Sequence, residues 1–365
     1  NKSSGVQLDN LQQIGKVPVE NPEEDSVQIN ERVIEKVSKM LDENPNLQNL
    51  NGIEKEYLLG CLRADLGRFI DDLRNNDAGK RAWNKDSFVN GDKIEEEMLE
   101  TCLKRYVETY RRIPSKFPPV SYSHVGKGGP GKSDDVKLGT VWGQGINTCF
   151  MMSVLNGLVQ TQKGVDHLKG HFAGNKFKVS LPKEVGPGEN KSFEREVDLT
   201  QPGVHPKERF SPFEEKLYGV YLDYLDEEHP GDLEDQELGK QGLAPRFAEV
   251  LGLIPDGTEV INEYKGDKKD VMAKRVAGTV NDALQAGKMC VLFSGMNGRG
   301  HYMAITDVRI GEDGQPKFRI LDSARGNDGN PDDRPERVRE VNVSDFLGKD
   351  MNHIDILKIP EAPAH

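Results

Sequence analysis

Cys149 is preceded by Gly143-Gln144-Gly145-Ile146-Asn147-Thr148 and followed by Phe150-Met151-Met152-Ser153-Val154-Leu155-Asn156-Gly157-Leu158. The upstream residues are small, polar and glycine-rich. Downstream, Phe150, Met151, Val154, Leu155 and Leu158 make an apolar stripe at helical spacing. The pattern predicts a buried helix over 149–162, ended by Lys163 and Gly164, with the thiol at its N-terminus. Unpaired amide donors and the helix dipole there favour a thiolate. The same amides stabilise an oxyanion forming beside the sulfur. Gln144, five residues upstream, offers a second donor from its side chain. An isolated cysteine at a helix start is more often a small buried residue, but the glycines, the glutamine and the partners below reverse those odds.

A thiol nucleophile needs a base, and the base needs an orienting partner. Met289 to Phe293 reads as a strand, Ser294 to Gly300 as a glycine-rich turn, and His301 opens the next strand. A histidine at such a strand mouth faces a cleft, which suits proton transfer. Gly311-Glu312-Asp313-Gly314 marks a hairpin, and the return strand Lys317–Leu321 stops at Asp322. Pairing residue 310 with 315 sets His301 opposite Ala324, within two residues of Asp322. A slightly different loop sets Asp322 directly across, and a tighter one favours Asn327. Either side chain can hold the imidazole in one tautomer. Asp322 is preferred because it ends the strand; its plainer reading is a strand-end cap.

These boxes resemble known ones. Asn147-Thr148-Cys149-Phe150-Met151-x-Ser153-Val154-Leu155-x-x-Leu158 resembles the cysteine box of the ubiquitin-specific proteases, Gly300-His301-Tyr302-x-Ala304 their histidine box, and Phe318-x-x-x-Asp322 the step that ends their triad. The resemblance implies a papain-like fold, Cys149 as nucleophile, His301 as base, Asp322 as its orienting acid and Gln144 in the oxyanion hole. It also implies that Asn147, Gly300 and Tyr302 touch a protein substrate, ubiquitin or a ubiquitin-like modifier, with no cofactor and no metal. The chain departs from that pattern with Gln144 where the family has Asn, with Met152 where it has Asn, and in lacking a paired-CxxC finger. Gln144-Gly145 before Cys149-Phe150, with Glu215-Lys216-Leu217-Tyr218, is similar to calpains and other papain-like proteases, which cleave internal bonds. Glutamine deamidation and acyl transfer run on the same triad, and a catalytically silent binding domain is the non-enzymatic alternative.

Elements must hold these groups in place, and 365 residues suffice for one large domain or two. The expected order is a flexible lead (1–25), a helical module (26–113), a Pro/Gly/Ser-rich linker (114–136) and an α+β papain-like domain (137–365). Helices are predicted near Asp25–Leu41, Gly52–Arg74 and Lys93–Arg112, then over 212–228, 243–252 and 270–286. Strands are predicted within 172–200 and over 288–293, 301–309 and 317–321. The formal charge of −12 argues against non-specific nucleic-acid binding, and no apolar run approaches a membrane span. Asn1–Asn10 shows no apolar signal-peptide core. Cys61, Cys102 and Cys290 are scattered and fit reduced, partly buried thiols. That points to the cytoplasm or another reducing compartment, or for a bacterial source to delivery into a host cell.

Three rival motifs carry less. Gly126-Lys127-Gly128-Gly129-Pro130-Gly131-Lys132-Ser133 fits a phosphate-loop pattern, yet Asp134 and Asp135 follow where an apolar helix should open. His167 and His171 stand four apart, but Gly164 and Gly170 argue against a helix, so surface histidines are expected. The Asp328 and Asp332-Asp333 segment lacks EF-hand spacing for calcium.

Overall fold

The computed structural model describes residues 34–65, 68–69, 93–145, 147–183, 191–201, 211–233, 242–262, 264, 266–296, 299–324, 337–349 and 351–361. The chain divides into two compact units, Asn1–Val107 and Glu108–His365. The expected lead (1–25) and the calcium-loop segment lie outside the described residues.

The first unit is helical: α1 (34–43), α2 (Gly52–Ala64) and most of α3 (Lys93–Arg111). Asn51 and Glu54 close a reciprocal capping box that starts α2. Val37 and Leu41, Tyr57, Leu58 and Leu62, and Leu99 and Leu103 are buried, as the helical period predicts. α2 does not run on to Arg74. Asp65 ends it by turning a side-chain oxygen onto the Arg68 N–H (3.0 Å), a local bond that competes with the helix ladder.

The second unit is α+β. Residues 114–136, expected as a linker, carry β1 (Ser123–Lys127), which pairs in parallel with β2 (Thr140–Gly143). The phosphate-loop pattern begins within β1, and three of its amides are taken. Gly131 and Lys132 N–H donate to Asp135 (2.9 and 3.0 Å), Gly128 N–H donates to the Gly143 carbonyl, and only a three-residue turn of helix follows. After β2 come α4 (Cys149–Leu158) and α5 (Gln162–Gly170). A small antiparallel sheet follows, with β3 (Phe172–Ala173), β4 (Lys176–Lys183) and β5 (Lys191–Asp198). Then come α6 (Pro212–Glu228), α7 (Ala244–Val250), β6 (Ile254–Val260) and α8 (Lys269–Gln285). The chain closes with β7 (Met289–Met296), β8 (Arg299–Ile310), β9 (Pro316–Leu321), β10 (Val338–Asn342) and β11 (His353–Lys358). β6 to β11 form one sheet in the order β10-β9-β8-β7-β11-β6, with every neighbouring pair antiparallel.

α4 packs on the face of that sheet presenting Met289, Val291, Phe293, Tyr302 and Leu357. The alternate residues Cys290, Leu292, Met303 and Ile354 are buried as well, and α8 packs against β7, β8 and β9. Covered on both sides, the sheet is a rigid platform. α4 is apolar almost all round, the mark of a central helix. It ends at Leu158, four residues sooner than predicted. Lys163 and Gly164 are not its terminator but the first turn of α5, capped by Thr161. A Cβ on Gly164 would stand 1.8 Å from the Leu158 carbonyl oxygen, so glycine is what lets the two helices meet. α5 exists despite its glycines, and its histidines are bonded to backbone rather than set on open surface. His167 Nε2 binds the Leu251 carbonyl (2.7 Å), and His171 bridges the Lys178 and Leu251 carbonyls (2.8 and 3.2 Å). No helix among the described residues is long and apolar enough to cross a membrane.

Candidate active site

The segment that delivers Cys149 is held at every step. Asn156, buried on α4, accepts from the Trp142 N–H (2.8 Å) and donates to its carbonyl (3.0 Å), standing in for a strand partner. Gln144 N–H donates to the Ser323 carbonyl (3.0 Å), and Ser323 Oγ donates to Gln144 Oε1 (2.8 Å). Asn147 takes φ of 57°, a left-handed conformation that asparagine tolerates better than most side chains. Thr148 precedes the helix, and its carbonyl accepts from Met151 and Met152 (both 3.0 Å). Cys149 is then the first helical residue, so its own amide has no acceptor within the helix. Behind it, Phe150 is enclosed by the rings of Tyr218, Tyr221 and Phe247 and by Gly242, where a Cβ would overlap the Phe150 ring at 2.6 Å. Burying a phenylalanine this fully contributes about 1.5–3 kcal/mol, and here it anchors the helix start.

β8 and β9 supply the other two groups, and the register explains how. The hairpin pairs Ile310 with Pro316, one residue beyond the expected 315, and the ladder slips by one at Thr306, so that Ala304 pairs with Leu321. The longer loop and the bulge cancel. Continued one residue past Ala304 and Leu321, this register sets Met303 across from Asp322, and His301 becomes a diagonal neighbour of Asp322 on the same face, within reach of long side chains. His301 Nε2 meets Asp322 Oδ1 at 2.8 Å. The imidazole is also hydrogen-bonded to Cys149, and with Nε2 on the carboxylate, Nδ1 is the nitrogen left for sulfur. The alternative orienting residue, Asn327, lies outside the described residues.

Two contacts on Asp322 had no signal in the sequence. Arg339 on β10 places Nη2 3.0 Å from Asp322 Oδ2, and the Ala324 N–H donates to Oδ1 (3.2 Å). Burial pushes the Asp322 pKa up, but the His301 bond, the His301 and Arg339 charges and the Ala324 N–H together hold it below its ordinary 3.8. Burial also opposes the charged imidazole. The Asp322 bond, the Cys149 bond and the charges of both outweigh it and raise His301 to about 9. The arrangement is an imidazolium held between carboxylate and sulfur. Its contribution to folding is complete below the ordinary imidazole value of 6.5 and is lost as pH rises through about 9. The Asp322 contribution is present above 3.8 and is lost as pH falls through its depressed value.

Of the residues expected to touch substrate, Asn147 is exposed and Gly300 half-buried. Tyr302 is not available for that role. It is 2 % exposed, because alternation along β8 turns it to the face opposite His301, where it packs on Phe293 (4.8 Å between ring centres) and bonds the Ala244 backbone. It is a wall behind the strand that carries His301. Glu214, unremarked in the sequence, is buried beside the loop before Cys149 and accepts from Gly145 N–H and Thr148 Oγ1, both at 2.6 Å. The other three cysteines are buried and in no disulfide, and burial pushes Cys290 up to about 12, an inert thiol. Among the described residues no group of three or more His, Cys, Asp or Glu is arranged to hold a metal.

No protein-family model matches the chain, and no curated protein matches it significantly.

Proposed function

We propose that this protein is a cysteine-type hydrolase with a Cys149–His301–Asp322 triad on a papain-like α+β unit, and that it releases ubiquitin or a ubiquitin-like protein from conjugates. The observation that carries the reading is His301, bonded at once to Asp322 (2.8 Å) and to Cys149. A nucleophile, a base and an orienting carboxylate in series are what thiol acyl transfer needs. The Cys149 thiolate attacks the scissile carbonyl carbon, and the resulting oxyanion is met by the Cys149 N–H and the Gln144 amide. His301 gives its proton to the departing amine as the C–N bond breaks, leaving a thioester. Water then attacks the thioester, His301 takes a proton from it, and Cys149 is released with the free carboxyl product.

The substrate class rests on the resemblance of the cysteine and histidine boxes and on access. Cys149 is 3 % exposed, which suits a thin, extended chain end better than a folded loop. A second reading, cleavage of internal peptide bonds, is favoured by Gln144 at the oxyanion position, clamped through Ser323. The test is incubation with a ubiquitin whose C-terminus carries a cysteine-directed electrophile, followed by peptide mass mapping. One adduct on Cys149 is expected. A small peptidyl electrophile labelling Cys149 where the ubiquitin reagent does not would select the endopeptidase reading, and no labelling by either would end the proposal.

The raised pKa of His301 sets a pH expectation. Turnover falls as pH rises through about 9, when His301 loses the proton owed to the leaving group. Asp322→Asn, which removes the charge that helps hold that proton, moves this limb to lower pH. A pH–rate profile of kcat/KM with an unchanged alkaline limb in that variant would rule out His301 as the group reported.

A further inference from the structure

We propose that Glu214 is a positioning residue for the oxyanion site. Its buried carboxylate holds Gly145 and Thr148, and through them the Gln144 amide and the Cys149 N–H, in place before substrate arrives. This rests on the hydrolase reading above.

Glu214 has an ordinary duty, the third position of the capping box that starts α6. Its Oε2 accepts from the Ser211 N–H (3.1 Å), and Ser211 Oγ accepts from the Glu214 N–H (3.1 Å). That duty uses one carboxylate oxygen and can be done at the surface. Here the side chain is 0 % exposed, a costly place for a carboxylate unless its oxygens are satisfied. The second oxygen, Oε1, accepts from Gly145 N–H and Thr148 Oγ1, each at 2.6 Å. Ser211 Oγ in turn donates to the Gly128 carbonyl, so the cap is itself tied to the loop after β1. Burial raises the Glu214 pKa against the pull of these bonds.

The held residues are those that matter for an oxyanion. Gly145 follows Gln144, whose other side is clamped by Ser323. Thr148 precedes Cys149, and its carbonyl carries the first bonds of α4. Between the two pins Asn147 makes the left-handed turn, at φ of 57°, that asparagine tolerates better than most side chains. Without Oε1 the short loop loses both pins to α6 at once and keeps only the bond from Gly145 N–H to Thr148 Oγ1 (3.1 Å) across itself. The Glu214 carboxylate bonds run to Gly145, Thr148 and Ser211 and not to His301 or Asp322, so its loss leaves the thiol its base.

The experiment compares two reactions of Cys149 in the full chain. Acylation by p-nitrophenyl acetate forms the S–acyl bond through an oxyanion and expels p-nitrophenolate. Exchange with 2,2′-dipyridyl disulfide forms a mixed disulfide and expels 2-thiopyridone, with no oxyanion at carbon. Intact mass, with Cys149→Ala as control, assigns both to this thiol. In Glu214→Ala acylation should fall on the order of 10²-fold, while exchange stays within about threefold of the unchanged protein. Glu214→Gln, which keeps an acceptor for Gly145 and Thr148, should fall less. Unchanged acylation in both variants would overturn the inference, and so would acylation and exchange falling together in both, which marks a merely structural glutamate. If Cys149 of the unchanged protein undergoes neither reaction, the hydrolase reading itself fails and takes this one with it.

Discussion

Cys149→Ala should abolish turnover, a loss on the order of 10⁵–10⁶-fold by comparison with other enzymes stripped of their nucleophile. It should do so without unfolding the chain. The site is 3 % exposed, alanine fits where the thiol sat, and Phe150, Val154, Leu155 and Leu158 still hold α4 in the core. The melting temperature is therefore expected to stay within a few degrees, since about 1 kcal/mol moves a domain of this size by only that much. A second readout separates loss of the nucleophile from loss of the site. The contact with Cys149 helps raise His301 to about 9, so the His301 pKa, followed by NMR, should drop in the variant. Retained turnover would end the mechanism. An unmoved His301 titration would show that sulfur and imidazole do not meet.

Asp322→Ala is the second large effect, and it acts on activity and stability together. Removing the orienting carboxylate of a triad costs on the order of 10⁴-fold in a serine protease, and a loss of that order is expected here. Asp322 is 5 % exposed and pairs with two cationic groups, His301 and Arg339. Deleting it strands both, and breaking a buried pair by removing one partner costs about 3–5 kcal/mol. His301 escapes part of that by losing its proton, whereas Arg339 stays charged. Denaturant unfolding should therefore show a clear stability loss in Asp322→Ala and a smaller one in Asp322→Asn. Asn327→Ala should leave turnover much closer to that of the unchanged protein. If Asn327→Ala proved the more damaging of the two for turnover, the orienting role would pass to Asn327.

Much of this site was legible because its signals are local. A glycine-rich approach, a thiol and an apolar helical stripe lie within about fifteen residues, and α6, with Ser211 as cap and Glu228 as last residue, falls where its pattern put it. The hairpin was legible in outline. The placement of Asp322 near His301 came through two deviations, a longer loop and a bulge at Thr306, that offset one another. What escaped was non-local or atypical. β6 reads Ile254-Pro255-Asp256-Gly257-Thr258-Glu259-Val260, with a proline and a glycine that signal a turn, and only its place at the sheet edge makes it a strand. β11 comes last in the chain yet lies between β7 and β6, an order that periodicity does not carry. Arg339 and Glu214 reach the site from β10 and α6, far away in sequence. Tyr302 was read as a substrate contact from its place beside Gly300 and His301, whereas its direction is set by the alternation of the strand.

Asp322 and Ser323 adjoin at the end of β9: Asp322 bonds His301, and Ser323 holds Gln144 through both its carbonyl and its hydroxyl. In the proposed mechanism, proton transfer and charge stabilisation would both depend on this one dipeptide. A change of length within the paired parts of β8 or β9 that moves Asp322 moves Ser323 with it, so one register sets the contacts to both His301 and Gln144. Length variation at the tip, Glu312 to Gly314, leaves that register in place and should be tolerated.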